Sequence, residues 1–358
     1  MIAIDCSPLL VRSAGVKTWL YYWTKGLLEL APERVTTVLG VPGESLVHEG
    51  GILRYASRLA LLAALNASRG ALGDLLLPRC DVFHTSNLLR YPPRRARLSA
   101  TVHDLTSWIL PEAHRSDTLK ADLLFARNVL ARADGIIAVS ENTRQDAVRI
   151  LGLAPEKIRV IYPGVAPPYF SARTPTGPPG KPWFLSVGTI EPRKNLETLL
   201  DAWVSLPRTW RSEFELRVVG MKGWNAEDTT RRLLRLSEED SGVRYLGYVP
   251  ETQLIELTAG AMALVYPSLY EGFGIPVAQA LAVGCPVITS NVSSLPELTD
   301  GAALLVDPRS QAEIAGAIRR MGDSLALRDH LARIGRVRAS VFTWPRACVE
   351  SLDYFDKL

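Results

Sequence analysis

Val265-Tyr-Pro-Ser-Leu-Tyr-Glu-Gly-Phe-Gly-Ile-Pro-Val-Ala-Gln-Ala-Leu-Ala-Val-Gly-Cys-Pro-Val-Ile288 is the stretch on which the reading of the fold turns. It begins inside a short apolar strand, Ala263 to Tyr266, that breaks at Pro267. Glu271 then fronts a Gly-Phe-Gly turn, and Pro276 is expected as the first residue of a helix, where its missing N–H costs nothing. Gly284 ends that helix, and Pro286 to Thr289 opens the next strand. A loop between a strand end and a helix N-terminus turns backbone N–H groups outward, and the helix dipole favours negative charge there. Glu271 stands beside that position as a hydrogen-bond acceptor. On geometry alone an ordinary strand–loop–helix connection, with Gly and Pro as punctuation, stands equally open.

The spelling Tyr270-Glu-Gly-Phe-Gly-Ile-Pro276, followed by Ala282-Val-Gly-Cys-Pro-Val-Ile288, closely resembles the nucleotide-sugar loop of retaining family 4 glycosyltransferases. The resemblance runs over nearly the whole chain. It implies a GT-B fold, an α/β architecture of two Rossmann-like domains facing each other across a cleft, with a C-terminal helix crossing back to the first domain. The expected plan is an N-terminal acceptor domain over 1–166, a linker rich in Pro, Gly, Ser and Thr over 167–182, a nucleotide-sugar-binding domain over 183–341, and a returning helix over 342–358.

The second half opens with Trp183 to Val187 as a strand, then Gly188-Thr-Ile-Glu-Pro-Arg-Lys-Asn195, then a helix from Leu196 to Val204 for which Asn195 is the expected N-cap. Arg193 and Lys194 precede that helix and can neutralise a diphosphate that the helix end also attracts. As a solvated charge pair they would be unremarkable. The spelling Glu191-Pro-Arg-Lys-Asn-Leu196, however, matches the family's diphosphate loop. Further along, the segment near Tyr248 and Val249 corresponds to the one that lies beside the nucleobase.

The first half has the same rhythm. Ile2 to Asp5 reads as a strand, Ser7 to Val16 as a loop and Lys17 to Leu30 as a helix with apolar residues three and four apart. In the family this loop lies over the donor diphosphate with two glycines at its tip. Here the tip is Ser13-Ala14-Gly15, so only Gly15 matches. Trp19, Tyr22 and Trp23 could stack on sugars, but at helical spacing they read first as packing. Leu98 to Leu105 is expected to form a strand ending in His103-Asp104, and a His at the carboxyl end of a parallel strand is well placed to meet a ligand. In the resembled family that His lies against the transferred sugar. Ser140 reads as a helix cap.

One position departs from the family pattern. Two glutamates usually stand with seven residues between them, and here the pair is Glu271 and Gln279. The second normally accepts hydrogen bonds from the ribose. Gln offers one acceptor and two donors without charge, so weakened or altered nucleotide binding is expected.

Composition sets the remaining bounds. At 358 residues two domains are the natural plan, and 47% apolar with 22% charged residues is ordinary for a globular protein. No basic leader precedes Asp5, and the most apolar run, Leu59 to Leu65, is too short to span a bilayer, so a cytoplasmic location is expected. Cys6, Cys80, Cys285 and Cys348 form no C-x-x-C pair and read as free thiols. Residues 1–170 hold 20 Lys and Arg against 15 Asp and Glu, the rest 21 against 22. Chance and an N-terminal half facing an anionic acceptor or membrane, peripherally on its inner face, are equally open readings. The helix around Ile52 to Leu65 reads as core, with lipid contact as the alternative, which the loop Arg90 to Arg97 favours slightly. Nucleic acid is not an expected partner.

Together these observations lead to the expectation of a metal-independent, retaining hexosyltransferase. The implied roles are His103, Glu271, Arg193 and Lys194 in catalysis, with Gly15, Gly188, Tyr248, Val249, Gly272, Phe273, Gly274, Ile275 and Gln279 binding the donor. No cofactor or metal is expected, since the chain has no Asp-x-Asp and its five histidines are scattered. The overall spelling looks most like mannosyltransferases of polysaccharide assembly, hence GDP-mannose as donor, with UDP-glucose or another UDP-hexose next, and a saccharide or lipid-linked saccharide as acceptor. A sugar-nucleotide epimerase and a non-catalytic, nucleotide-binding subunit are the competing readings.

Overall fold

A computed structural model describes residues 1–10, 15–40, 52–69, 71–172, 180–239 and 241–358. It parts the chain into two compact units. The first holds Met1–Ile109, Ser116–Gly164 and Thr343–Leu358; the second holds Leu110–Arg115 and Val165–Phe342.

The first unit is built on six parallel strands, β1 (Ile2–Asp5), β2 (Val35–Val38), β3 (Val82–Thr85), β4 (Arg97–Val102), β5 (Gly135–Ala138) and β6 (Ile158–Val160), in the order β2-β1-β3-β4-β5-β6. The strands β1, β3 and β5 are buried at every residue, as parallel strands covered on both faces must be. On one face the helix Gly15–Leu30 packs Trp19, Trp23 and Leu27 with the helix Trp344–Phe355, whose Ser351 hydroxyl accepts from the Trp23 indole at 2.9 Å. The other face buries Leu62 and Leu65 of the helix Ile52–Ala67 together with Phe83, Phe125 and Val129. Trp19 and Trp23 are thus core residues. The loop tip at Ser13-Ala14 and the end of the strand expected from Val35 to Val41 fall outside the described residues.

The second unit repeats the plan with β7 (Trp183–Val187), β8 (Glu215–Val219), β9 (Val243–Gly247), β10 (Ala263–Tyr266), β11 (Val287–Ser290) and β12 (Leu304–Val306). All pair in parallel in the order β12-β11-β10-β7-β8-β9. The chain winds one way from β7 to β9, returns, and winds the other way from β10 to β12. Connections therefore leave β7 and β10 in opposite directions, and the crevice outside their carboxyl ends is where such sheets bind ligands. Phe184, Leu199 and Trp203 anchor a core completed by Ile314, Ile318 and Met321.

Three local expectations need correction. The helix after the Gly-Phe-Gly turn starts at Ile275, not Pro276, because Gly274 sits in the left-handed region at φ 102° and serves as N-cap. Part of the segment read as linker, Pro167–Ser171, is a short helix with Tyr169 buried. Asn195 does stand at the N-cap position of the helix Leu196–Ser205, at φ 58°, but it makes no side-chain capping bond to a backbone amide: its Oδ1 accepts from the Thr198 hydroxyl at 2.7 Å instead. Ser140, by contrast, caps the helix Glu141–Leu151 by accepting from the Thr143 amide. The four cysteines are free, and no described helix is long and apolar enough to cross a membrane.

Candidate active site

The loops leaving β7 and β10 meet at the switch point of the second sheet. The β7 loop passes through Gly188 and a single 3-10 turn, Pro192–Lys194, before its helix. Asn195 ties it to its neighbours, donating from Nδ2 to the Pro267 carbonyl at 3.0 Å and the Pro308 carbonyl at 2.6 Å. The β10 loop is strapped from the other side. The Glu271 amide donates to the Ser293 hydroxyl at 3.1 Å, and the Ser294 hydroxyl donates to the carbonyls of Glu271 and Phe273 at 2.9 and 3.0 Å. The helix Ile275–Val283 that follows is buried almost all round, which fixes the direction of its N-terminus.

These straps bring the charged candidates together. Glu271 Oε2 accepts from Arg193 Nη1 at 2.7 Å, and Oε1 accepts from Lys194 Nζ at 2.6 Å and from the Tyr266 hydroxyl at 2.9 Å. Arg193 also donates to the Tyr270 carbonyl at 3.0 Å and to Glu191 at 2.6 Å. Lys194 donates to the Tyr266 hydroxyl at 2.6 Å. Two acids and two cations therefore balance in a nearly dry cluster, with Glu191 and Glu271 only 5% and 6% exposed. Burial alone would raise the Glu271 carboxyl, but Arg193 and Lys194 overturn it and hold its pKa at about 2, so Glu271 is an anion at neutral pH. Burial, with Arg193 adding to it, lowers the Lys194 pKa against the pull of Glu271. Burial raises the Tyr266 hydroxyl well above its ordinary range, so it stays protonated and donates.

Gly188, Gly272, Phe273, Gly274 and Ile275 belong to these same two loops. Gln279 lies one turn into the following helix, partly exposed, and its amide bonds to no described residue. Beyond β9, Tyr248 is 72% exposed while Val249 is buried. Gly15 and His103 belong to the first unit. Gly15 opens the helix Gly15–Leu30, and Trp19 of that helix meets the His103 ring edge-on, with centroids 4.8 Å apart. Burial pushes the His103 pKa down to about 4 against the pull of Asp104, leaving a neutral imidazole at pH 7. Asp104 itself accepts from the Thr106 amide at 3.1 Å, a local turn bond.

Glu191 and Tyr266 are members of the cluster that the sequence reading missed. Glu191 sits two residues before Arg193, and Tyr266 is the last residue of β10. A polar group at a parallel strand's carboxyl end was the available signal.

Comparison with known proteins bears on the family and the fold. The profile of the family described as Glycosyltransferase Family 4 matches residues 13–167, and that of Glycosyl transferases group 1 matches residues 172–338. The O-antigen chain mannosyltransferase B of Escherichia coli is 30% identical over 285 residues, covering 77% of this chain and 74% of that protein. Of other O-antigen and serotype-specific mannosyltransferases that it resembles, the chain spans between 32% and 64% of the length. Among solved structures, a sucrose-phosphate synthase from Thermosynechococcus elongatus shares the fold with a TM-score of 0.74 at 21% identity, covering 99% of this chain and 98% of that one. Anabaena Alr3699/HepE, solved with UDP and glucose, does so with a TM-score of 0.67 at 17% identity, over 100% and 99%. With two Rossmann-like sheets, a cation pair and carboxylate at the second switch point, and both halves matched, the chain belongs to the family 4 glycosyltransferases of GT-B fold.

Proposed function

We propose that this glycosyltransferase moves a hexose from a nucleoside diphosphate to a hydroxyl of a saccharide or lipid-linked acceptor, with retention at the anomeric carbon and without a metal. The observation that carries the reading is the buried Arg193–Glu271–Lys194 cluster at the switch point of the donor sheet. Its two cations supply what a departing diphosphate needs, and the N–H groups of Gly272 to Ile275 at the helix N-terminus add to it. Glu271, ionised and accepting, suits sugar hydroxyls once the cations turn to phosphate.

The other roles are those that the family resemblance implies. His103, neutral at pH 7, orients the sugar. Gln279 accepts from the ribose, the backbone near Tyr248 and Val249 meets the base, and Gly15 and Gly188 allow close approach of the phosphates. A departing phosphate oxygen receives the acceptor's proton as the new glycosidic bond forms, so no separate base is required.

GDP-mannose is the first donor to test, since the 30% identical relative is a mannosyltransferase. UDP-glucose follows, because a protein of this fold was solved with UDP and glucose.

The test is release of nucleoside diphosphate from a panel of nucleotide sugars, with and without a chelator. Release from one donor, surviving the chelator and falling on the order of a hundredfold or more in Glu271→Ala, is expected. Turnover that vanishes with the chelator would refute the metal-free reading. Tight nucleotide binding without turnover on any acceptor would favour a non-catalytic subunit.

A further inference from the structure

We propose that Tyr266 is a positioning residue of the donor site: its hydroxyl keeps hold of the Glu271 carboxylate when the Lys194 ammonium turns from it to a diphosphate. This role rests on the reading of the cluster as the diphosphate site. Three polar atoms meet there in a closed triangle. Lys194 Nζ lies 2.6 Å from Glu271 Oε1 and 2.6 Å from the Tyr266 hydroxyl, which itself lies 2.9 Å from the same Oε1. Chemistry fixes the direction of each bond. An ammonium has no lone pair and can only donate, so the phenol oxygen accepts from Lys194. The phenol's single proton therefore points at Glu271, and burial, which raises the hydroxyl well above its ordinary range, keeps that proton in place. Glu271 Oε1 thus has one charged donor and one neutral donor.

The two donors differ in freedom. Lys194 carries its charge at the end of a flexible stem that runs along Gly188, where an added Cβ would meet its Cε at 3.6 Å. With Gly188, Thr189 and Tyr266 it lines one crevice at the switch point, so its ammonium can swing to an anion that enters there. Tyr266 cannot follow. It is the last residue of β10 and only 2% exposed, and its carbonyl accepts from the Thr289 hydroxyl of the adjoining β11 at 2.8 Å. The phenol oxygen is therefore held where the strand and the core put it.

Burial of Glu271 gives the fixed donor its purpose. At 6% exposure the carboxylate has little access to water that could replace a departing ammonium, and a buried charge that loses a partner is strongly destabilised. With the phenol in place, Oε1 keeps a hydrogen bond throughout, and Lys194 leaves at a lower cost. A phenylalanine would keep the shape of the ring, which lies 5.0 Å from Nζ, but would leave Oε1 with neither donor once the ammonium had turned. The hydroxyl therefore acts on nucleotide affinity through Glu271, without touching the nucleotide.

The test is calorimetric titration of the full-length protein with GDP and with UDP, in the parent, Tyr266→Phe, Glu271→Gln and the double variant. Tyr266→Phe is expected to weaken binding of the nucleotide that the parent takes by about tenfold. In the Glu271→Gln background no anion loses a partner, so the same exchange should change affinity by less than about threefold. A ring that serves packing alone would give the same small effect in both backgrounds. A hydroxyl that meets the diphosphate directly would give the same large one, and either result overturns the proposal. Circular dichroism and thermal unfolding identify any variant that has lost its fold. If Glu271→Gln is one, Lys194→Gln supplies the comparison: with no ammonium to turn, Tyr266→Phe should again be nearly silent, and a tenfold loss there would overturn the proposal. A parent that binds neither nucleotide would overturn the reading of the site, and this role with it.

Discussion

Gln279 is the residue at which this chain departs from its family, and its surroundings make the departure testable. Its amide bonds to no described residue, so exchanging it removes no internal hydrogen bond. A glutamate there would accept from a ribose hydroxyl as an anion, and charge-assisted bonds are roughly twice as strong as neutral ones. Gln279→Glu is expected to tighten nucleoside diphosphate binding by about tenfold, read by calorimetry, with thermal stability unchanged. Unchanged affinity would mean that position 279 does not meet the ribose. Position 271 differs in kind. Glu271 is held by two cations and a phenol, and replacing it leaves Arg193 and Lys194 buried with a carboxylate fewer. Loss of function in Glu271 variants therefore needs a stability measurement beside it, whereas Gln279→Glu reports on binding alone.

Between the strands and the site stand the loop exits, and these are set by backbone contact. After β7 the Gly188 amide donates to the Val219 carbonyl at 2.9 Å, and after β8 the Gly220 amide donates to the Gly247 carbonyl at 2.8 Å. Gly220 sits at φ 152°, and a Cβ on it would lie 1.8 Å from the Gly188 carbonyl oxygen. Gly220→Ala therefore displaces the loop that delivers Arg193 and Lys194. A loss of about 2–4 kcal/mol is expected, seen as a fall in Tm of roughly 5–10 °C, together with weaker donor binding. An alanine variant as stable as the parent would show that the two exits yield without cost. Elements of this kind mark the limit of what was legible in the sequence. The strands were readable as short apolar runs bounded by turn residues, and β7 (Trp-Phe-Leu-Ser-Val) and β10 (Ala-Leu-Val-Tyr) fall where those runs predicted. Arg193, Lys194 and Glu271 were readable from motif spelling. Their joining was not, because Glu271 bonds across 78 residues to Arg193. Asn195 holds the N-cap position that its local sequence suggests, but its Nδ2 donates to the distant carbonyls of Pro267 and Pro308, a tie that local sequence does not reveal, while its Oδ1 accepts from the Thr198 hydroxyl. Leu110–Arg115 shows the same limit, since only tertiary contact, such as the Trp224 indole donating to the Ala113 carbonyl at 2.6 Å, assigns it to the second unit.

At the scale of the molecule, two units with separate cores carry different titrating groups, so acid should not weaken them together. His84 lies in the first unit, 2% exposed between Trp23 and Phe355, with its ring nitrogens 3.1 Å from the hydroxyls of Ser99 and Thr101. Burial, with His103 adding to it, pushes its pKa from 6.5 down to about 3. The folded ring thus stays neutral while an unfolded chain takes up its proton below about pH 6.5. Stability from this residue is complete above that pH and drains away as pH falls toward 3, on the order of 4–5 kcal/mol at full effect. His103, held at about 4 in the same unit, acts in the same sense. Asp5 opposes them, because burial raises its carboxyl and the folded state takes that proton more readily. Glu271 of the second unit has a depressed pKa, about 2 against an ordinary 4.5, so its contribution is complete above 4.5 and lost only between there and 2. At pH 5 the histidines already weigh on the first unit while Glu271 still supports the second in full. Hydrogen exchange followed by mass spectrometry, corrected for intrinsic rates, should therefore show peptides of β1 to β5 losing protection before those of β7 to β11 as pH falls from 7 to 5. His84→Gln keeps a donor and an acceptor for Ser99 and Thr101 but cannot charge, so it should flatten the decline between pH 6.5 and 4 even if it lowers stability at pH 7. A decline of the same slope in that variant, or earlier loss in the second unit, would place the acid-sensitive group elsewhere.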